Sequence, residues 1–363
     1  MLAVIRVHIK NIKPFPNSPG PVPMLSDQET RDAMDENIPF SLGHFCKLNT
    51  FGTHLPKPFT IFPVIEINDP GGNYFRNKDL VDLIIREVTG AHLPDWKIFT
   101  GIIVLIDYFN SNDDTGGFTG GADVPEIIFP FWYLVFLFRK KIPISICPIV
   151  KKPNREFPSQ AIYHEYLHSI GYGHVFGLNG QEANLYGFCR MSSSLVSLSA
   201  AHFYSANMLN FKKPPIGSTS GLNPLNVLGL LIQQRILEFS CPDHKVCMQL
   251  RLTALDEAQT AHDWAQQVFL LVIHGKQTYG KRFFIELRRK NKASYDEQIP
   301  HDLSLVIHSF DPSKNAYANF IFEGEMEISA GKHQYTQKDW PFEITVLRIP
   351  ADHKFVELKV CGK

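Results

Sequence analysis

The segment that constrains this chain most is His164-Glu165-Tyr166-Leu167-His168-Ser169-Ile170-Gly171-Tyr172-Gly173-His174. His164 and His168 are four residues apart, and on a helix that spacing places both imidazoles on one face, one turn apart. We predict this helix over 158–170, because Pro and Ser suit its start and Gly171 suits its end. Gly171 also permits the positive φ of a sharp turn, which lets His174 approach the other two histidines. The segment therefore predicts three imidazoles clustered at the end of a helix.

Three neutral imidazoles are a typical ligand set for one catalytic metal ion. They fill three positions of a tetrahedral zinc ion and leave the fourth for water. Glu165 follows the first ligand, so it is expected beside the metal, where it can take a proton from water and later pass it to a leaving amine. The pattern thus predicts Zn²⁺ bound by His164, His168 and His174, with Glu165 as the catalytic residue. The alternative is a helix that carries fortuitous surface or core histidines.

The composition is that of an ordinary globular protein with one large domain or two smaller ones. The chain has 363 residues, of which 44% are hydrophobic and 20% are charged. Lys+Arg and Asp+Glu balance at 36 each, so no long-range field favours nucleic acid or an anionic membrane as a partner. We therefore expect a protein or peptide substrate that is recognised at a local site, and no nucleic acid.

No stretch of the sequence predicts a membrane span or a signal peptide. The apolar N-terminal run is interrupted by Arg6 and His8 and is predicted to be a first core strand. The most apolar stretch, 127–138, is too short to cross a bilayer and contains Pro130. We expect a buried strand or an apolar loop there.

The pattern of the chain changes near residue 213. Before that point, strands and helices alternate: strands are predicted over 2–9, 60–67 and 98–108, and helices over 77–88, 158–170 and 198–209. A segment rich in Pro, Gly and Ser follows and is predicted as a linker over 214–223. Seven short alternating segments come next, over 247–255, 266–274, 282–289, 303–310, 319–329, 342–349 and 354–361. The prediction is an α+β chain with a catalytic domain over 1–213 and an all-β sandwich over 224–363.

The six cysteines are an even but sparse set. They form no CxxC pair, which disfavours a structural zinc site made of cysteines. Cys241 and Cys247 are close enough in sequence to close a short loop if the compartment is oxidising. The alternative is that all six are free buried thiols.

The extended motif HExxHxxGxxH, read from His164 to His174, resembles that of the metzincin zinc metallopeptidases. Within that family the chain resembles the gametolysin (autolysin) group and bacterial relatives such as immune inhibitor A. The likeness is carried by Tyr186-Gly187 before Met191, by the segment 199–210, and by 283–289 with the strands around it. It implies a metzincin-type zincin domain, with a mixed sheet and an active-site helix, followed by an accessory β-domain that binds substrate or matrix.

The same resemblance makes Met191 the candidate for the methionine turn that lies beneath the zinc site in metzincins. An ordinary core methionine is the alternative. The chain departs from the gametolysin pattern, because Phe188 and Ser192 stand where that group usually has Asp and Gly. Ser193 occupies the position at which some metzincins carry a Tyr near the zinc, so no residue is assigned to stabilise the oxyanion.

These features predict a zinc-dependent metalloendopeptidase that hydrolyses peptide bonds of proteins. The resemblance also implies a secreted protein, although no signal peptide is visible. An extended substrate is expected to pair with a sheet edge at 60–67 or 98–108. The rival interpretation is a catalytically inactive metzincin-fold protein for adhesion or binding, which retains the zinc ion.

Overall fold

The computed structural model describes most of the chain, in stretches separated by gaps. The described residues are 1–11, 24–68, 78–90, 98–107, 118–128, 136–152, 155–158, 161–178, 189, 191, 196–207, 235–240, 246–260, 267–274, 280–291, 294–310, 320–328, 334–335 and 339–363. Contacts divide the chain into two compact units. The first is Met1–Lys47 with His54–Gly171, and the second is Leu48–Thr53 with Tyr172–Lys363.

The first unit is built on one mixed sheet. Its strands are β1 (Leu2–Lys10), β2 (Phe59–Ile61), β3 (Ile65–Asn68), β4 (Gly101–Ile106), β5 (Phe118–Ile128), β6 (Phe136–Lys152) and β7 (Arg155–Pro158). The order is β2-β1-β4-β6-β5, with β3 also on β1 and β7 also on β6. The strands from β2 to β6 along this order run parallel, whereas β5 and β7 run antiparallel to β6.

Four helices accompany this sheet: α1 (Asp27–Met34), α2 (Leu42–Asn49), α3 (Lys78–Gly90) and α4 (Ala161–Ser169). The predicted helix 77–88 is confirmed as α3, which ends at Gly90. The predicted helix 158–170 is shorter in the structure, because Pro158 ends β7 before α4 begins.

The expectation that 98–108 offers a sheet edge is wrong. All six residues of β4 are buried, and the strand lies between β1 and β6 with parallel register on both sides. A run of apolar residues with no alternation is typical of a strand that is covered on both faces. The other candidate, 60–67, is two short strands, β2 and β3, that both pair with β1.

The second unit contains two sheets that share one apolar cluster. The strands are β8 (Ile236–Ser240), β9 (Cys247–Thr253), β10 (Leu270–His274), β11 (Arg282–Arg289), β12 (Leu303–Phe310), β13 (Phe320–Glu327), β14 (Gln334–Tyr335), β15 (Phe342–Arg348) and β16 (Phe355–Gly362). The sheet orders are β13-β12-β11-β10-β8 and β14-β15-β16-β9. Side chains of both sheets, among them Ile285 and Leu358, belong to one buried cluster. All seven predicted strands are present, and β8 and β14 are additional.

The second unit is not all-β. It includes α5 (Ala200–Asn207), α6 (Leu255–Thr260) and a 3₁₀ turn, Tyr295–Gln298. Two acidic residues, Asp256 and Glu257, lie in the first turn of α6. Negative side chains stabilise a helix at this position because they interact with the positive end of its dipole. The chain therefore leaves β9 and forms a short helix between two predicted strands, where the sequence predicted no helix.

The N-terminus of α5 is attached to the second unit by buried carboxylates. The backbone N–H of Ala200 donates to Glu286 Oε2 (2.6 Å), and that of Ser197 donates to Asp296 Oδ1 (3.0 Å). Arg288 bridges both carboxylates from a fully buried position. These bonds tie the start of α5 to the second unit, to which residues 172–213 belong by their contacts. The predicted linker 214–223 lies outside the described residues, and the domain prediction stays a prediction.

Neither alternative that the sequence left open for the cysteines, a Cys241–Cys247 pair or six free thiols, is found. Cys247 is bonded to Cys361, because β9 and β16 are antiparallel neighbours and these two residues are opposite each other. Cys46, Cys147 and Cys189 are buried thiols outside any disulfide. No helix within the described stretches is long and apolar enough to cross a membrane.

Candidate metal centre

The helix α4 is held against the sheet by its buried side chains. Six of its residues are buried, Glu165 among them, and it packs on β5 and β6. The ring of Tyr163 stacks on Phe45 at a centroid distance of 4.4 Å, and its hydroxyl donates to the carbonyl of Phe40. The helix that carries the first two histidines is therefore fixed from both sides.

Gly171 ends this helix as predicted. Its backbone N–H donates to the carbonyl of His168 at 3.0 Å, and its φ is 103°. A Cβ added at Gly171 would meet no atom within 4 Å, so the backbone conformation, not a lack of space, favours glycine here. The turn redirects the continuous segment that leads to His174, three residues later.

The three predicted ligands lie together. One ring nitrogen from each of His164, His168 and His174 lies within 4.8 Å of the others, and all three residues are half-buried. The Nε2 atoms of His164 and His168 are 2.9 Å apart. Two nitrogens on a tetrahedral zinc ion, each about 2.0 Å from it, are about 3.3 Å apart. The arrangement therefore fits one ion of that size, with small adjustments of the imidazoles.

Glu165 follows His164 in the sequence. Its carboxyl group is buried and hydrogen-bonded to the sheet. The Thr119 hydroxyl is 2.6 Å from Glu165 Oε2 and 2.9 Å from the Glu165 carbonyl oxygen. The Ser145 hydroxyl donates to the same carbonyl at 3.0 Å. Burial raises the pKa of Glu165 to about 7, against the opposing effect of the Thr119 hydrogen bond. A cation beside the carboxylate would favour its charged form.

Met191 lies next to the backbone that follows the third histidine. Its carbonyl accepts a hydrogen bond from the N–H of Val175 at 3.3 Å, and the residue is fully buried. This position agrees with a methionine turn, which stays a prediction. Residues 186–188, 192 and 193, on which the comparison with the gametolysin pattern also depends, lie outside the described residues.

Tyr172, inside the motif, is buried against a second histidine. It is only 3% exposed, and its ring lies 5.6 Å from the ring of His202. His202 is itself buried, with Nδ1 3.6 Å from the Cys189 sulfur. Tyr172, His202 and Cys189 thus form a buried cluster.

Thr119 and Ser145 are the site residues that the sequence did not indicate. They are 46 and 20 residues from Glu165 in the chain, on β5 and β6, and neither belongs to a motif. Only the pairing of these two strands and the packing of α4 on them bring the hydroxyls to the glutamate.

Comparison of the chain with protein-family models found no match, and neither did comparison with curated proteins. The function is therefore inferred from the geometry of the three histidines and from the motif itself.

Proposed function

We propose that this chain is a zinc-dependent metalloendopeptidase of the metzincin kind. The observation that carries the proposal is the convergence of His164, His168 and His174, whose ligand atoms lie within 4.8 Å. Three imidazoles are a ligand set of catalytic zinc sites, which leave the fourth position for water, whereas structural zinc sites use four protein ligands. Glu165, the next residue after His164, is not counted among the ligands. Zinc bound there would polarise a peptide carbonyl and lower the pKa of water towards about 7.

Glu165 has the environment of a group that both accepts and donates a proton. Its carboxylate takes a proton from the attacking water, and the same carboxyl group then gives the proton to the leaving amine nitrogen. A pKa raised to about 7 by burial suits both directions near neutral pH. The bound cation would reduce this rise, so the working pKa is set by both influences.

The substrate is proposed to bind as an extended strand along β5. In the described part of the sheet, β5 is the last strand of the order and pairs with β6. Its first residues include Thr119, which contacts Glu165. A peptide that adds to this edge would use its main-chain hydrogen bonds for affinity and would pass close to the glutamate.

The second unit is proposed to bind substrate or matrix in a secreted protein. The disulfide between Cys247 and Cys361 supports an oxidising compartment, because such bonds are rare where glutathione keeps thiols reduced.

The proposal is tested by zinc content and by cleavage of gelatin. The wild-type chain should bind one zinc ion and cleave gelatin, and a chelator should stop the cleavage. Glu165→Ala should keep the zinc and lose about 100-fold or more of the activity. His174→Ala should lose the zinc, whereas His301→Ala, which alters a histidine paired with Glu325, should keep it.

A distinct result would indicate the rival function. If the wild type holds one zinc ion, cleaves no protein and is unchanged by Glu165→Ala, then the chain is an inactive protein for binding or adhesion. If the wild type holds no zinc, both proposals fail.

A further inference from the structure

Two hydroxyl side chains on adjacent strands donate hydrogen bonds to Glu165. Thr119 on β5 and Ser145 on β6 are register partners in the antiparallel pair, and directly opposite residues point to the same face of a sheet. Both hydroxyls lie against α4 at Glu165. The sheet therefore presents two donors to one residue of the helix.

The distances assign one donor to each acceptor. Thr119 has a single hydroxyl proton, and its oxygen is nearer to the carboxylate Oε2 (2.6 Å) than to the carbonyl (2.9 Å). A hydrogen bond to a carboxylate is also the stronger choice, because the acceptor is charged. Ser145 is then the donor to the carbonyl of Glu165, at 3.0 Å.

We propose that Thr119 is a positioning residue that holds Oε2 of Glu165 and leaves Oε1 as the oxygen that exchanges protons with water and substrate. This inference rests on the proposed function. Within the described residues, the Thr119 hydroxyl is the group hydrogen-bonded to that carboxylate. Restricting the carboxylate to one rotamer fixes the position of its second oxygen, and proton transfer requires such fixed geometry.

Thr119 also connects the base to the strand on which the substrate is proposed to bind. The residue lies near the start of β5, whose backbone pairs with β6 from Phe118 to Ile128. A substrate strand on the other edge of β5 would thus be aligned by the same strand that aligns Glu165. The hydroxyl acts through Glu165 and has no role of its own in bond cleavage.

The test compares Thr119→Val, Thr119→Ser and Ser145→Ala in the zinc-loaded chain, with a fluorogenic peptide as substrate. Thr119→Val keeps the shape and loses the donor. It should lower kcat about 10- to 100-fold, as loss of a partner that orients a site residue does, while KM changes less than about two-fold and zinc stays bound. Thr119→Ser should restore most of kcat. Ser145→Ala, which removes the bond to the carbonyl alone, should lower kcat at least about five-fold less than Thr119→Val does.

Two outcomes would overturn the proposal while peptidase activity stands. One is full kcat in Thr119→Val, and the other is a loss in Thr119→Ser as large as in Thr119→Val. A loss shared by Ser145→Ala would also overturn it, because general support of α4 would then explain the effect.

A measurement without catalysis separates this proposal from the proposed function. The melting temperatures of wild type, Thr119→Val, Glu165→Ala and the double variant form a cycle. The two changes should be non-additive by about 2 °C or more, whereas Ser145→Ala and Glu165→Ala should add. Absence of cleavage by the wild type would overturn the proposed function. The cycle alone would then decide the Thr119–Glu165 bond: non-additivity supports the bond, and additivity overturns it.

Discussion

A single backbone angle at Gly171 determines where the third histidine lies. The φ of this residue is 103°, in the region that residues with a Cβ adopt only at a cost of about 1–2 kcal/mol. The side chains of His164 and His168 are placed by the regular geometry of α4. His174 lies outside this helix, three residues after the turn at Gly171, and we expect its approach to depend on that turn.

Gly171→Ala should therefore weaken zinc binding without removing a ligand. The variant should unfold with a free energy about 1–2 kcal/mol lower, because φ must stay strained or relax, and relaxation moves His174. Zinc titration with a competing chelator and urea unfolding measure the two effects. Gly52→Ala is the matched control, since Gly52 also has a positive φ (74°) and open space for a Cβ. Unchanged zinc affinity in Gly171→Ala would contradict the role assigned to the turn.

At the scale of the element, α5 is attached to β11 by a buried charge cluster. Two carboxylates, Glu286 and Asp296, share the guanidinium of Arg288, and all three side chains are buried. Burial is the largest cause that raises the pKa of Glu286 to about 7, against Arg288 and the N–H of Ala200. Two negative charges beside one positive charge leave one carboxylate disposed to bind a proton.

This cluster predicts a stability that depends on pH. In the unfolded chain Glu286 releases its proton near its ordinary value of 4.5, whereas the folded chain holds the proton to about pH 7. Between these values the native state binds more protons, so stability falls as pH rises and then levels off above pH 7. Glu286→Gln has no proton to release. As the pH rises from 4.5 to about 7, the wild type should therefore lose stability relative to Glu286→Gln. Urea unfolding of both proteins across this range measures the difference. A constant difference across that range would contradict the prediction.

Local patterns predicted the elements better than their partners. The seven segments predicted in the second half are strands, although β11 and β12 are buried along most of their length rather than at alternate residues, and β8 and β14 were missed. The histidine spacing predicted that three imidazoles lie together, since helical geometry and one turn set their positions. Thr119, by contrast, depends on the register of β5 with β6, and no local pattern encodes a contact between residues that far apart.

At the scale of the whole molecule, the disulfide between Cys247 and Cys361 closes a long covalent loop. The two residues are 114 apart in the sequence, and they join the strand β9 to the final strand β16. Closing so long a loop restricts the unfolded chain more than the folded one.

Removing this bond should lower the free energy of unfolding by about 2–5 kcal/mol. The double variant Cys247→Ser/Cys361→Ser should melt at a lower temperature than the wild type, and a reductant should lower the wild type to the same level. The double variant serves as the control, because a reductant should not shift it further. Equal melting temperatures for the wild type with and without reductant would rule out a stabilising disulfide.

The same bond changes what a cut in the chain does. Any single cleavage between residues 248 and 360 produces two pieces that remain joined through Cys247 and Cys361. A molecule nicked once in this region, by itself or by another protease, would keep its full mass on a non-reducing gel and separate into fragments only after reduction. For a chain proposed to hydrolyse proteins outside the cell, the bond thus provides tolerance of damage as well as stability.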